Sequence, residues 1–164
     1  MSRARAAVLV LALAPLASLA GCLGDDVEPA NIDASPACIA AETHSDLGYI
    51  ETAVFGPGCS AFVSCHKGAA SQAGRLSLEV GRSHDELVDQ PSSRFLDWKL
   101  VVPGDPMHSY LMVVLGQYQG PLDPRIGTMP FNSRLLCREK RDAIERWILA
   151  GAPPASPDAG VDAP

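Results

Sequence analysis

Leu47, Ile50 and Val54 recur at i, i+3 and i+7 among polar neighbours, and Ser45 or Asp46 can cap the first turn. The pattern predicts a helix over about residues 46 to 55, ended by Gly56-Pro57-Gly58. Tyr110, Leu111, Val114 and Leu115 form a second apolar face ending at Gly116. It is introduced by Asp105 as N-cap and Pro106 at the first helical position. A third face, Ala143, Ile144, Trp147 and Ile148, predicts a final helix over about 138 to 150, stopped by Gly151 and Pro153, with Trp147 as a core anchor. Arg138, Glu139, Lys140, Asp142, Glu145 and Arg146 lie mostly off that face. Ser83 to Glu86 has the spacing of a capping box for another short helix, and Gly74 to Leu78 reads as a short extended or irregular piece. With no convincing alternating run, the expected fold class is all-α, a small helical domain with long loops.

The chain ends follow other patterns. Arg3 and Arg5 precede an apolar run, Ala6 to Ala20, too short to span a membrane and shaped like a secretory signal. Leu19-Ala20-Gly21-Cys22 is similar to the lipobox of bacterial lipoproteins. Residues 1–21 are therefore expected to be a lipoprotein signal peptide, with cleavage before Cys22 and lipidation of that thiol. This places the mature chain outside the cytoplasm, anchored to membrane lipid through Cys22 on the periplasmic or cell-surface face. Residues 22–44 carry Asp25, Asp26, Glu28, Pro29 and Pro36 without apolar periodicity and read as a flexible tether. Residues 45–153 form the expected domain, and 154–164, rich in Pro, Ala and Asp, a disordered tail.

The formal charge of the whole chain is −6; without Arg3 and Arg5, 11 basic and 19 acidic side chains leave −8. So acidic a domain argues against nucleic acid as a partner. Gly-x-Ser-x-Gly, His-Glu-x-x-His and phosphate-binding glycine loops are absent from the sequence, and the scattered Asp, Ser and His residues make no triad. A substrate-converting enzyme is not expected.

With Cys22 assigned to lipid, Cys38, Cys59, Cys65 and Cys137 remain, an even number for an oxidising compartment. Two disulfides, or one disulfide and one haem pair, both fit. Cys38 and Cys137 bracket the domain and are the candidate disulfide. A thiol followed directly by histidine, as in Cys65-His66, is the second half of a c-type haem attachment site, where two cysteines bond the porphyrin vinyls and the imidazole ligates iron. The usual gap is two residues, whereas five separate Cys59 from Cys65, so the spacer must bulge while keeping both sulfurs in place. The alternative is a Cys59–Cys65 disulfide loop beside a chance histidine. Zinc would need two further ligands, and Cys38, Cys137, His84 and His108 show no paired short spacing. His44, His84 and His108 read as solvated, Met112 as core and Met107 as exposed.

Taken in order, Cys59…Cys65-His66, Val102-Pro-Gly-Asp-Pro-Met-His-Ser-Tyr-Leu111, Met129-Pro130 and Trp147-Ile-Leu-Ala-Gly-Ala-Pro153 resemble the single-haem, planctomycete-type cytochrome c-like domains of exported lipoproteins. The resemblance covers roughly residues 45 to 153. It implies a cytochrome c-like fold whose first and last helices pack behind the cofactor. It also implies one covalently attached haem c, held by Cys59 and Cys65 as thioethers, with His66 and Met129 as axial iron ligands. The implied role is single-electron transfer to an unidentified redox protein partner. The competing expectation is a haem-free lipoprotein module of the same fold with a binding or structural role, stapled by Cys59–Cys65 and Cys38–Cys137.

Overall fold

The described residues of the computed structural model, 35–68 and 73–156, form helices joined by long loops, with three isolated β-bridges and no strand among them. The mostly-α expectation holds at that level. The expected signal peptide, Cys22, the tether up to residue 34 and the tail beyond residue 156 lie outside the described residues. No described helix is long and apolar enough to cross a membrane.

The first helix, α1 (Pro36–Ala41), falls within the expected tether. Six residues are too few to display a helical period, but Ser35 Oγ accepts from the Cys38 amide and Pro36 occupies the first turn. The disulfide Cys38–Cys137 fastens α1 across 99 residues of chain, and Ala41 is fully buried. The folded unit therefore begins before residue 45.

Asp46 caps the next helix as expected, its carboxylate accepting from the Tyr49 amide at 2.7 Å. The helix runs through α2 (Leu47–Tyr49) and a π-helical stretch (Ile50–Phe55) into α3 (Gly56–Gly58), one turn beyond the expected stop. Gly56 donates to the Glu51 carbonyl, an i→i−5 bond. Pro57 has no amide to offer Ala53, and Lys140 Nζ donates to that carbonyl instead, at 3.2 Å. The widened turn thus carries the chain past a proline that would break an α-helical ladder.

Ser83 opens α4 (Ser83–Leu87), yet its hydroxyl does not cap it. It donates at 2.6 Å to Glu51 Oε1, and the Gly81 amide donates to both oxygens of the same carboxylate at 3.0 Å. Glu51 is 1 % exposed, so these donors meet the demand of a buried carboxylate, and that demand overrides the capping box. Asp105 makes a tight turn with His108, whereas α5 (Tyr110–Val114) starts only after Ser109. The Tyr110 and Leu111 amides are held by the carbonyls of Lys99 and Leu100, which delays helical register.

The last helix, α6 (Arg138–Leu149), matches its apolar pattern: Ala143, Ile144, Trp147 and Ile148 are fully buried. Trp147 Nε1 donates to the Pro153 carbonyl at 2.8 Å, holding the chain after Gly151 (φ +93°) against the helix. Leu47, Ile50, Val54 and Phe55 meet Ile144, Trp147 and Ile148 in one core with Leu111, Met112 and Leu115. Phe55, Leu78, Leu87, Leu111 and Leu115 belong to this core and also wall a cavity on its other side.

Candidate cofactor-binding site

The cavity has a volume of about 850 Å³, at the upper end of the range of ligand pockets, and its wall is chiefly apolar. Cys59, Cys65, His66 and Met129 all line it. Four residues spread between positions 59 and 129 are thus gathered by the end of α3, the turn after it and the loop following α5. The Met129 amide donates to the Val114 carbonyl at 2.7 Å, which ties that loop to the end of α5. The Met129–Pro130 peptide is cis.

The spacer between the thiols folds on itself. The Cys59 and Ser60 amides both donate to the Phe55 carbonyl, at 2.7 and 2.8 Å, extending the helix end into the loop. Cys65 N–H reaches the Phe62 carbonyl and His66 N–H the Cys59 carbonyl, each at 2.9 Å. The base of the loop is therefore closed by a backbone hydrogen bond, while Phe62 and Val63 at its tip are 68 % and 74 % exposed. A five-residue gap can in this way bulge outward with both cysteines kept on the cavity wall. Both thiols are free. Burial, reinforced by nearby Cys65 and opposed by Lys140, pushes the Cys59 thiol up to about 11.

His66 is clamped from two sides. Its carbonyl accepts from the Leu78 amide at 2.9 Å, and its Nδ1 lies 3.3 Å from the Leu76 carbonyl. A carbonyl oxygen only accepts, so Nδ1 carries the proton and Nε2 keeps its lone pair, with no hydrogen bond to Nε2 among the described residues. Burial lowers the imidazole pKa, against a smaller opposing effect of the Leu76 bond, and favours the neutral ring. A neutral, oriented imidazole, a thioether, two unoxidised thiols and apolar walls fit the donor set that a covalently held haem requires.

The other expectations resolve separately. Cys38, Cys137 and Glu139 bring ligand atoms within 4.8 Å of one another, but the two sulfurs are bonded to each other. Met112 is buried and Met107 61 % exposed, as expected. His108 is exposed beside Asp105, and His44 stacks on Tyr49 at 3.8 Å. His84 departs from the solvated expectation: it is half-buried, its Nε2 3.2 Å from the Ala152 carbonyl that α6 brings up.

Polar groups on the cavity wall that the sequence did not single out include Arg75, Arg94 and Asp123. Arg94 Nη1 lies 3.6 Å from Asp123 Oδ2, and Asp123 in turn accepts from the Arg125 amide at 2.9 Å, organising the loop that leads to Met129. They come from three irregular segments, where no periodicity marks a shared face. Comparison with known proteins gives no relative to place beside this arrangement: no family model, no curated protein and no solved structure matches the chain.

Proposed function

We propose that this chain is an extracytoplasmic, lipid-anchored c-type cytochrome-like protein that binds one haem and transfers single electrons to a redox protein partner. What carries the reading is the convergence of Cys59, Cys65, His66 and Met129 on one large apolar cavity. On this reading Cys59 and Cys65 hold the porphyrin as thioethers, and His66 and Met129 ligate the iron. Haem, when bound, supplies the one-electron couple.

The chain's own residues supply the rest. The Leu76 carbonyl fixes which nitrogen of His66 carries its proton, and burial keeps the ring neutral. Phe55, Leu78, Leu111 and Leu115 exclude water from the cavity wall, and a low local dielectric is one of the means by which proteins tune a haem potential. The shared core of the α2–α3 helix and α6 lies behind that wall, an arrangement that supports the reading. Anchoring rests on the lipobox-like Leu19 to Cys22.

The decisive measurement is the intact mass and optical spectrum of mature protein produced with a haem-attachment system. A covalent haem increment with a Soret band is expected. A haem-free mass two hydrogens below that of the protein retaining only the Cys38–Cys137 bridge would instead establish a Cys59–Cys65 disulfide and sink the proposal.

A further inference from the structure

The charged side chains on the cavity wall are not equivalent. Asp85 lies 3.2 Å from His84 Nδ1, and Glu86 3.7 Å from Arg82. Asp123 is shared by Arg94 and by Arg125, whose Nε is 3.8 Å away. Arg75 has no ion pair among the described residues, although it is exposed at the cavity wall. It stands in the left-handed backbone region at φ +60°, directly after Gly74 at φ +73°. A non-glycine residue there is uncommon, and such backbone strain recurs at ligand sites.

The turn bearing Arg75 lies against the segment bearing Arg94: a Cβ added to Gly74 would sit 3.3 Å from Ser93 Oγ. Two guanidinium-bearing segments are therefore neighbours on the wall of an apolar cavity, in a chain whose overall charge is negative. Asp123 is 13 % exposed and its charge is already met from two sides. Around Asp123 the Arg94 and Arg125 guanidiniums outnumber the one carboxylate, and Arg75 stands on the adjoining turn, while Asp85 and Glu86 line the wall from α4.

We propose that Arg75 and Arg94 form a carboxylate-binding rim for a flat apolar ligand carrying two acid groups, which on the haem reading are the two propionates. This rests on that reading for the identity of the ligand. Guanidinium suits the task because its planar fork matches a carboxylate and its charge persists at every relevant pH.

The test uses the full mature chain made without haem attachment, titrated by fluorescence with mesoporphyrin IX and with its dimethyl ester. Mesoporphyrin has ethyl groups in place of vinyls, so the thiols cannot capture it. The diacid should bind at least about tenfold more tightly than the ester, the size of one charge-assisted hydrogen bond. An Arg75→Gln/Arg94→Gln double variant should lose that preference while its affinity for the ester stays unchanged. Equal binding of the two porphyrins, binding of neither, or an equal loss of both in the variant overturns the rim. Haem attachment without diacid preference defeats the rim alone; diacid preference in a protein that never acquires haem mass defeats the haem reading alone.

Discussion

Nδ1 of His66 lies 3.3 Å from the carbonyl oxygen of Leu76, ten residues along the chain. That contact turns a histidine beside a cysteine into an oriented neutral base, because the carbonyl accepts only from a protonated Nδ1. Burial lowers the ring's pKa below its ordinary 6.5. The unfolded chain then binds a proton that the folded chain refuses, so stability falls as pH drops below about 6.5 and levels off under the folded pKa. Urea titrations of the haem-free protein between pH 7.5 and 4.5 should show this slope, and His66→Gln should flatten it; an unchanged slope contradicts the assignment.

The proposed ligands separate by their variants. His66→Ala protein produced with haem attachment is expected to lose the low-spin spectrum. Met129→Ala should keep the covalent haem mass yet become high-spin or fall in potential. Retention of an unaltered low-spin spectrum by Met129→Ala removes that residue from the site.

Cys59 should be a slow nucleophile. Raising its pKa from 9.0 to about 11 leaves about a hundredfold less thiolate at pH 8. Iodoacetamide modification of haem-free protein, followed by peptide mass mapping, should show Cys59 reacting far more slowly than an unstructured thiol, with a rate still rising at pH 10.

Trp147 joins the core to the chain end. Trp147→Ala removes a fully buried indole and should cost about 3 to 5 kcal/mol. Trp147→Phe should cost less, although it leaves the Pro153 carbonyl without its 2.8 Å donor. Denaturant midpoints of the two variants measure the difference, and equal losses would mean that the hydrogen bond, not the packing, dominates.

The Cys38–Cys137 bridge closes nearly the whole described domain. Replacing both cysteines by serine should lower stability by about 4 kcal/mol, since long loops lose most when the cross-link goes. Denaturant unfolding checks this, and the double variant should also free α1 to fray, visible as faster amide exchange over Pro36–Ala41.

What could be read along the chain was what repeats along the chain. Ala143, Ile144, Trp147 and Ile148 sit on a twelve-residue helix long enough to display its period, and they are buried as that period demands. Cys59, Cys65 and His66 stood out by a thiol set directly before a histidine, and Met129 only through the resemblance. Their shared cavity was not legible, since it depends on loops that meet only in three dimensions. Ser83 misled for the same reason: its local capping signal lost to a carboxylate 32 residues away. Pro57 misled because the Lys140 ammonium that serves the Ala53 carbonyl comes from 87 residues further on. Arg75 and Arg94 carried no signal at all, lying in irregular segments between the patterned elements.

The hydrogen bond between Cys59 and His66 has a consequence for how chains of this kind are counted. Once the base of a loop is closed, the number of residues above it no longer sets the distance between its ends, and lengthening it costs little: each doubling adds only about 0.6 kcal/mol. Residue spacing then ceases to be a ruler. Insertions at the Phe62–Val63 tip should leave the separation of the two sulfurs unchanged, so the gap between cysteines is free to drift while the geometry beneath it stays put.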